Sequence, residues 1–233
     1  MTDSPKKDLY VVGYPKSGNT WLSRLLGDVL DSPVMARAPK NAIGDEGFGR
    51  DGDFVIRQEH LDYKSYKGEN PVILVIRDPR DTAVSAWKYW QISSLVETIR
   101  KMHTGSWPIT HGGGWANFYE FWMEKEFEYL VSYESLLEDT EYEVNRLLLW
   151  LDREPVNPVS EVVSRQSFDS RKEIADKHGD LMPHGRDVQY GSLRKGIAGD
   201  WQNHFDRECE LLAQTYFGET ASFFGYNLYV HSD

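Results

Sequence analysis

Three separated stretches of this chain combine glycines, cations and hydroxyls in patterns suited to gripping phosphate oxygens. The first is Gly13-Tyr14-Pro15-Lys16-Ser17-Gly18-Asn19-Thr20, set between a short apolar run and a helical pattern. Such a loop folds back so that backbone N–H groups point inward, and the helix that follows adds partial positive charge. Gly13, Gly18 and Thr20 match the ATP-binding loop G-x-x-x-x-G-K-[ST], but Asn19 stands in the lysine position and the only loop lysine is Lys16. An anion cradle survives, while the case for ATP or GTP hydrolysis weakens. A plain glycine turn is the other reading.

The second stretch follows the strongest apolar run. Arg77 stands at its end, Pro79 suits a helix start, and Ser85 comes eight residues after Arg77. Arg offers a charge-assisted fork to phosphate oxygens, and a hydroxyl two turns into the helix can face the same ligand. A surface ion pair of Arg77 with Asp81, with Ser85 merely packing, remains open. The third stretch is Arg194-Lys195-Gly196-Ile197-Ala198-Gly199-Asp200-Trp201. Its cations can clamp an anion, and its glycines let backbone approach without a Cβ in the way. The alternative is a solvated basic turn.

These stretches need elements to position them. Apolar runs predict strands at 9–12, 54–56, 71–76 and 127–132, and helical spacing predicts helices at 20–30, 81–90, 115–125 and 141–151. Further helical stretches fall near 158–166, 168–177 and 207–224, while 37–53 and 104–114 read as loops. Strands alternating with helices imply a three-layer α/β fold, a parallel central sheet flanked by helices. In such sheets ligands sit at the carboxyl ends of the strands.

The string from Tyr14 to Trp21 resembles the 5′-phosphosulfate loop of the PAPS-dependent sulfotransferase family, Y-P-K-S-G-T-T-W, departing only at Asn19. PAPS is 3′-phosphoadenosine-5′-phosphosulfate, and PAP is the product left when its sulfuryl group departs. The 77–85 segment resembles the family's Arg and Ser pair, and residues 194–205 resemble R-K-G-x-x-G-D-W-x-x-x-F. The likeness extends from Tyr10 to Tyr226. It implies a P-loop nucleotide-kinase-like fold, a single domain over 1–233, and sulfuryl transfer by in-line displacement without a metal. It also implies donor contacts from Lys16, Ser17, Gly18, Asn19, Thr20, Trp21, Arg77, Ser85, Arg194, Lys195 and Gly196, with backbone amides of 17–20 on the 5′-phosphate. Tyr133 and Phe168 resemble the residues that contact adenine, with Trp21 on the other face.

Sulfuryl transfer asks for positioning, charge stabilisation and a base for the acceptor proton. His60 occupies the place of the histidine in the family's K-T-H-L-P string, where it implies a general base, with Lys16 neutralising charge. Gln58, Glu59 and Asp62 replace the Lys, Thr and Pro. Arg57 is the candidate cation in place of that lysine, and Glu59 is the other candidate base.

The formal net charge is −11, which argues against a nucleic-acid binder; focused cations and oriented amides must hold any anion. Cys209 is the only cysteine, no run approaches a membrane span, and the apolar segment after Lys6 and Lys7 is too short for a signal peptide. Cytoplasmic location and a small-molecule acceptor follow as expectations, with no nucleic-acid or membrane partner and a monomer or weak homodimer. Tyr89, Trp90, Trp107, Trp115 and Phe118 suggest an aromatic or apolar acceptor carrying a hydroxyl or amine. A nucleotide kinase and a non-catalytic adenosine 3′,5′-bisphosphate binder remain as alternatives.

Overall fold

Val72–Ile76 (β4) is five apolar residues without interruption, and every one is buried. Such a run belongs inside a sheet covered on both faces. In the computed structural model, which describes residues 6–36, 50–60, 70–106, 113–124, 127–178 and 193–229, β4 lies between β1 (Lys7–Gly13) and β5 (Tyr129–Ser132). On the other side of β1 come β3 (Phe54–Glu59) and the edge strand β2 (Val34–Ala36). All pairs are parallel, in the order β2-β3-β1-β4-β5.

Alternation along the strands feeds two cores. Leu9, Val11, Ile73 and Val75 pack on one face with α1 (Asn19–Val29), α6 (Thr140–Leu151) and α7 (Val159–Arg165). Val12, Val72, Leu74 and Ile76 pack on the other with α2 (Pro79–Trp90), α3 (Leu95–Thr104), α4 (Trp115–Met123) and α9 (Arg207–Phe223). Two further helices, α5 (Tyr133–Glu138) and α8 (Phe168–His178), follow β5 and α7. The three-layer parallel α/β architecture is the expected one.

Several elements differ from the sequence expectation. β2 has only three residues, too few for alternation to register, and lies just before the 37–53 loop, of which 37–49 are outside the described residues. Helix α3 was not expected. Its start carries a side-chain cap, Ser94 accepting from the Glu97 amide at 3.1 Å, and Leu95, Thr98, Ile99 and Met102 form its buried stripe. β5 begins at Tyr129 rather than 127, and α2 begins two residues early, at Pro79.

The aromatic residues assigned to an acceptor pocket divide in the same way. Trp115 and Phe118 are 0% and 1% exposed, on the inward face of α4, where they serve the second core. This corrects the expectation that they line the pocket; Trp107 lies outside the described residues. Phe118→Leu removes three buried side-chain carbons and the ring's edge contacts with Tyr14 and Tyr119, and should therefore cost about 1–3 kcal/mol of stability. Urea unfolding reads that loss, and the acceptor KM should stay at the wild-type value.

Candidate active site

The loop between β1 and α1 owes its shape to two left-handed residues. Lys16 sits at φ +73° and Gly18 at +102°. For lysine this is a costly conformation that surrounding structure must enforce. At Gly18 a Cβ would come 2.7 Å from Tyr133 Cδ2, so only glycine fits between helix start and ring. Underneath, Tyr119 on α4 is fully buried, and burial pushes its phenol well above the ordinary range, keeping it neutral. Its hydroxyl donates to the Val75 carbonyl at 2.9 Å and so must accept from Ser17 Oγ at 3.1 Å, with the Tyr14 amide at 3.4 Å. The Ser17 amide meanwhile donates to the Tyr14 carbonyl at 3.2 Å. Ser17 thus anchors the loop to the core. The amides of Gly18, Asn19 and Thr20 are those a helix start leaves for an anion.

Arg77, at the end of β4, is 6% exposed. Its guanidinium donates to the Lys16 carbonyl at 3.3 Å and to the Ile197 carbonyl at 3.0 Å, and lies 4.1 Å above the Tyr133 ring. Its Nε is buried with no protein partner among the described residues. One cation thus joins the first loop, the C-terminal motif and the residue after β5. The surface ion pair with Asp81 is not what forms. Asp81 is 1% exposed and accepts from the Gly199 amide at 2.6 Å and the Trp201 amide at 2.8 Å. Burial is the main cause of its raised pKa. Arg80, paired with Asp78 at 2.7 Å, stacks 3.8 Å over Trp201. The C-terminal motif is therefore docked onto the start of α2, which also carries Ser85, nearly buried, in its second turn.

Aromatic residues close the ring of contacts. Trp21 meets Tyr133 edge-on at 5.9 Å, and its indole N–H donates to the Gln166 carbonyl at 3.0 Å. Phe168, two residues on, packs so tightly on Gly196 that a Cβ there would collide with its ring. Glu134, beside Tyr133, accepts from the Asp78 amide at 3.1 Å and from Tyr226 at 2.6 Å, fixing the turn after β4.

His60 ends β3. Its Nδ1 lies 2.7 Å from the Gly13 carbonyl oxygen. A carbonyl only accepts, so Nδ1 carries the proton and Nε2 is the basic nitrogen. Arg57 does not supply charge to this ring: its Nε pairs with Asp8 at 2.9 Å, back along the sheet. Glu59 is buried, and its charge acts on Tyr10. Lys16 Nζ lies 3.8 Å over the Tyr89 ring, which meets Trp90 edge-on at 5.2 Å. The loop, Arg77, Tyr133, Phe168 and residues 194–196 thus come to one end of the sheet, with His60 bonded to the loop's first residue. Sequence reasoning missed Tyr119, Asp81 and Asp200 as the supports of this end. The two aspartates stand inside the quoted motifs, whereas Tyr119 looks like any core aromatic.

Residues 53–225 match the family described as "Sulfotransferase domain". Human sulfotransferase 2A1 is 28% identical over 230 residues, spanning 85% of this chain and 79% of its own. The 3-alpha-hydroxysteroid sulfotransferase of Cavia porcellus is 27% identical over 229 residues, spanning 85% and 78%. The crystal structure of mouse sulfotransferase SULT7A1 complexed with PAP has a TM-score of 0.73 at 22% identity, covering 94% of this chain and 86% of that one. A retinol dehydratase structure in complex with androsterone and inactive cofactor PAP has a TM-score of 0.67 at 16% identity, covering 93% and 82%. At these identities the structural likeness is one of fold.

The cations of the third motif are already engaged. Arg194 Nη1 and Lys195 Nζ reach the two oxygens of Asp200 at 2.6 and 2.8 Å, and Asn203 and His204 add contacts at 3.1 and 3.2 Å. Burial opposes the charge on Asp200, but the bonds from Lys195, Arg194 and Asn203 outweigh it and hold the carboxyl well below the usual range. A depressed carboxylate stabilises the fold above its unfolded pKa, and that contribution fades as pH falls toward the folded value. Asp200→Asn should therefore lower Tm at pH 7. The gap from wild type should narrow below about pH 4, where an unfolded aspartate protonates. Thermal melts between pH 3 and 7 measure it.

Proposed function

The chain belongs to the sulfotransferase domain family and is a PAPS-dependent sulfuryl-transferring enzyme, and we propose that His60 is its general base and Lys16 its charge-neutralising cation. The observation that carries this reading is the Nδ1 contact of His60 with the Gly13 carbonyl, which makes Nε2 the basic nitrogen of a ring bonded to the first residue of the anion loop. The nucleotide kinase alternative falls with the family assignment.

The residues present fit such a donor. PAPS supplies a sulfuryl group activated by its bond to a 5′-phosphate, and a second phosphate on the ribose. The amides of Gly18, Asn19 and Thr20 and the Lys16 ammonium suit the first anion. Arg77, whose buried Nε needs an acceptor, suits the second, together with Ser85, Arg194, Lys195 and the Gly196 backbone. Asp200 would share its two cations with that phosphate. Trp21 and Phe168 offer faces for a base, and Tyr133 stands between loop and Arg77.

His60 takes the acceptor's proton on Nε2, and the resulting imidazolium keeps its Nδ1–H on the Gly13 carbonyl. Lys16, held at its left-handed backbone, places positive charge where negative charge grows on the leaving oxygen. Glu59 is not the base in this reading, because its side chain is buried.

The acceptor is a small molecule bearing a hydroxyl or amine, and Tyr89 and Trp90 beside Lys16 favour an aromatic or apolar one. In this reading residues 1–233 act as one catalytic domain: among the described residues the loop, His60, Arg77 and Tyr133 each follow a strand of one five-stranded sheet, and the 194–201 motif docks beside them through Asp81. Among the described residues no helix is long and apolar enough to cross a membrane. Cys209, the only cysteine, can form no intramolecular disulfide, which fits a cytoplasmic enzyme.

A screen of phenols, alcohols and amines with labelled PAPS should reveal turnover. In that assay His60→Ala should lose about 10²–10⁴-fold in kcat, the size of a general-base contribution. Lys16→Ala should lose about 10²–10³-fold, the size of one transition-state donor. Near wild-type turnover in both variants would remove these roles.

A further inference from the structure

We propose that Asn19 is a positioning residue for the base: its side-chain amide fixes the Gly13 carbonyl and so holds His60 as the Nδ1–H tautomer. The proposal rests on the reading of His60 as proton acceptor. Asn19 opens α1, so its backbone amide faces the anion loop, but its side chain, 3% exposed, turns the other way. Its Nδ2 donates to the Gly13 carbonyl at 3.0 Å and to the Glu59 carbonyl at 3.1 Å. Those carbonyls end the neighbouring strands β1 and β3, and Glu59 immediately precedes His60. One amide therefore ties together the backbone that accepts from the imidazole and the backbone that carries it.

Proton accounting fixes the arrangement. Both hydrogens of Nδ2 are spent on the two carbonyls. The 3.3 Å approach of Nδ2 to His60 Nδ1 is then a contact between two donors sharing the Gly13 oxygen. Turning the amide over would set Oδ1 against two carbonyl oxygens, so the orientation is settled by chemistry. Outer partners of this kind set a histidine's tautomer and ring angle. Arg57 pairs with Asp8 and cannot tune His60, so a neutral amide serves instead. The threonine that the resembling loop carries here has a single hydroxyl, which cannot donate to two carbonyls at once.

The test is long-range ¹H–¹⁵N NMR of His60 with adenosine 3′,5′-bisphosphate bound, in wild type, Asn19→Ala and Asn19→Thr, alongside kinetics and calorimetry. Wild type should show the Nδ1–H tautomer and Asn19→Ala a mixture. Turnover should fall about 10–100-fold in Asn19→Ala, the usual cost of losing an outer partner. Nucleotide Kd should stay within about two-fold, because the cradle amides remain. Asn19→Thr keeps one donor and should fall between the two; it carries the comparison if Asn19→Ala fails to fold. An Nε2–H tautomer in wild type overturns the proposal. So does an alanine variant with wild-type kcat, or one whose nucleotide affinity falls in step with kcat. Retained turnover in His60→Ala would instead remove the base assignment, while the NMR result on Asn19 would stand on its own.

Discussion

The Arg77 guanidinium is the interaction on which the rest of the site depends. It is nearly buried at the end of β4, and a buried cation is costly unless its donors are used. Two of them are used by carbonyls from opposite ends of the chain, Lys16 and Ile197, and the plane rests on Tyr133. Tyr133 in turn presses against Gly18 and Trp21. Moving any one of these segments would leave an Arg donor or a carbonyl unpaired, so the three stretches are held together before any ligand arrives. The remaining buried Nε donor still asks for an acceptor.

This explains how a chain of net charge −11 can hold a polyanion. Positive potential is concentrated rather than spread: amides at one helix start, Lys16, Arg77 and two cations tied to one carboxylate. Asp81 and Asp200 are acidic residues that support the proposed anion site. Asp81 holds the amides of Gly199 and Trp201, and Asp200 holds Arg194 and Lys195. The parallel sheet brings β1, β3, β4 and β5 to a common end, so the loop, His60, Arg77 and Tyr133 meet there although 47 residues separate Gly13 from His60 and 56 separate Asp78 from Glu134.

Much of this was legible in the sequence, for physical reasons. Glycines at forced positive φ, cations at strand ends and uninterrupted apolar strands write themselves as types at fixed spacing, so the loop, Arg77, residues 194–201 and β4 could be read directly. The supports were harder. Tyr119 acts through a hydroxyl beneath the loop, yet its spacing on α4 is that of packing. Trp115 and Phe118 show the converse error, aromatic residues beside a loop that belong wholly to the core. Arg57 is three residues from His60 in sequence, but the neighbouring strand offered Asp8, diagonally across the β1–β3 register, a pairing only the register reveals. Short β2 and helix α3 escaped because one lacks a period and the other's cap stood outside the motifs.

The central claim is that separated segments converge on a nucleotide with anions at both its 5′ and 3′ ends. Isothermal calorimetry of adenosine 3′,5′-bisphosphate against adenosine 5′-monophosphate tests it most directly. The monophosphate should bind weaker by about tenfold or more, since each charge-assisted bond lost costs about 1.5–3 kcal/mol. Equal affinity for the two nucleotides would contradict it.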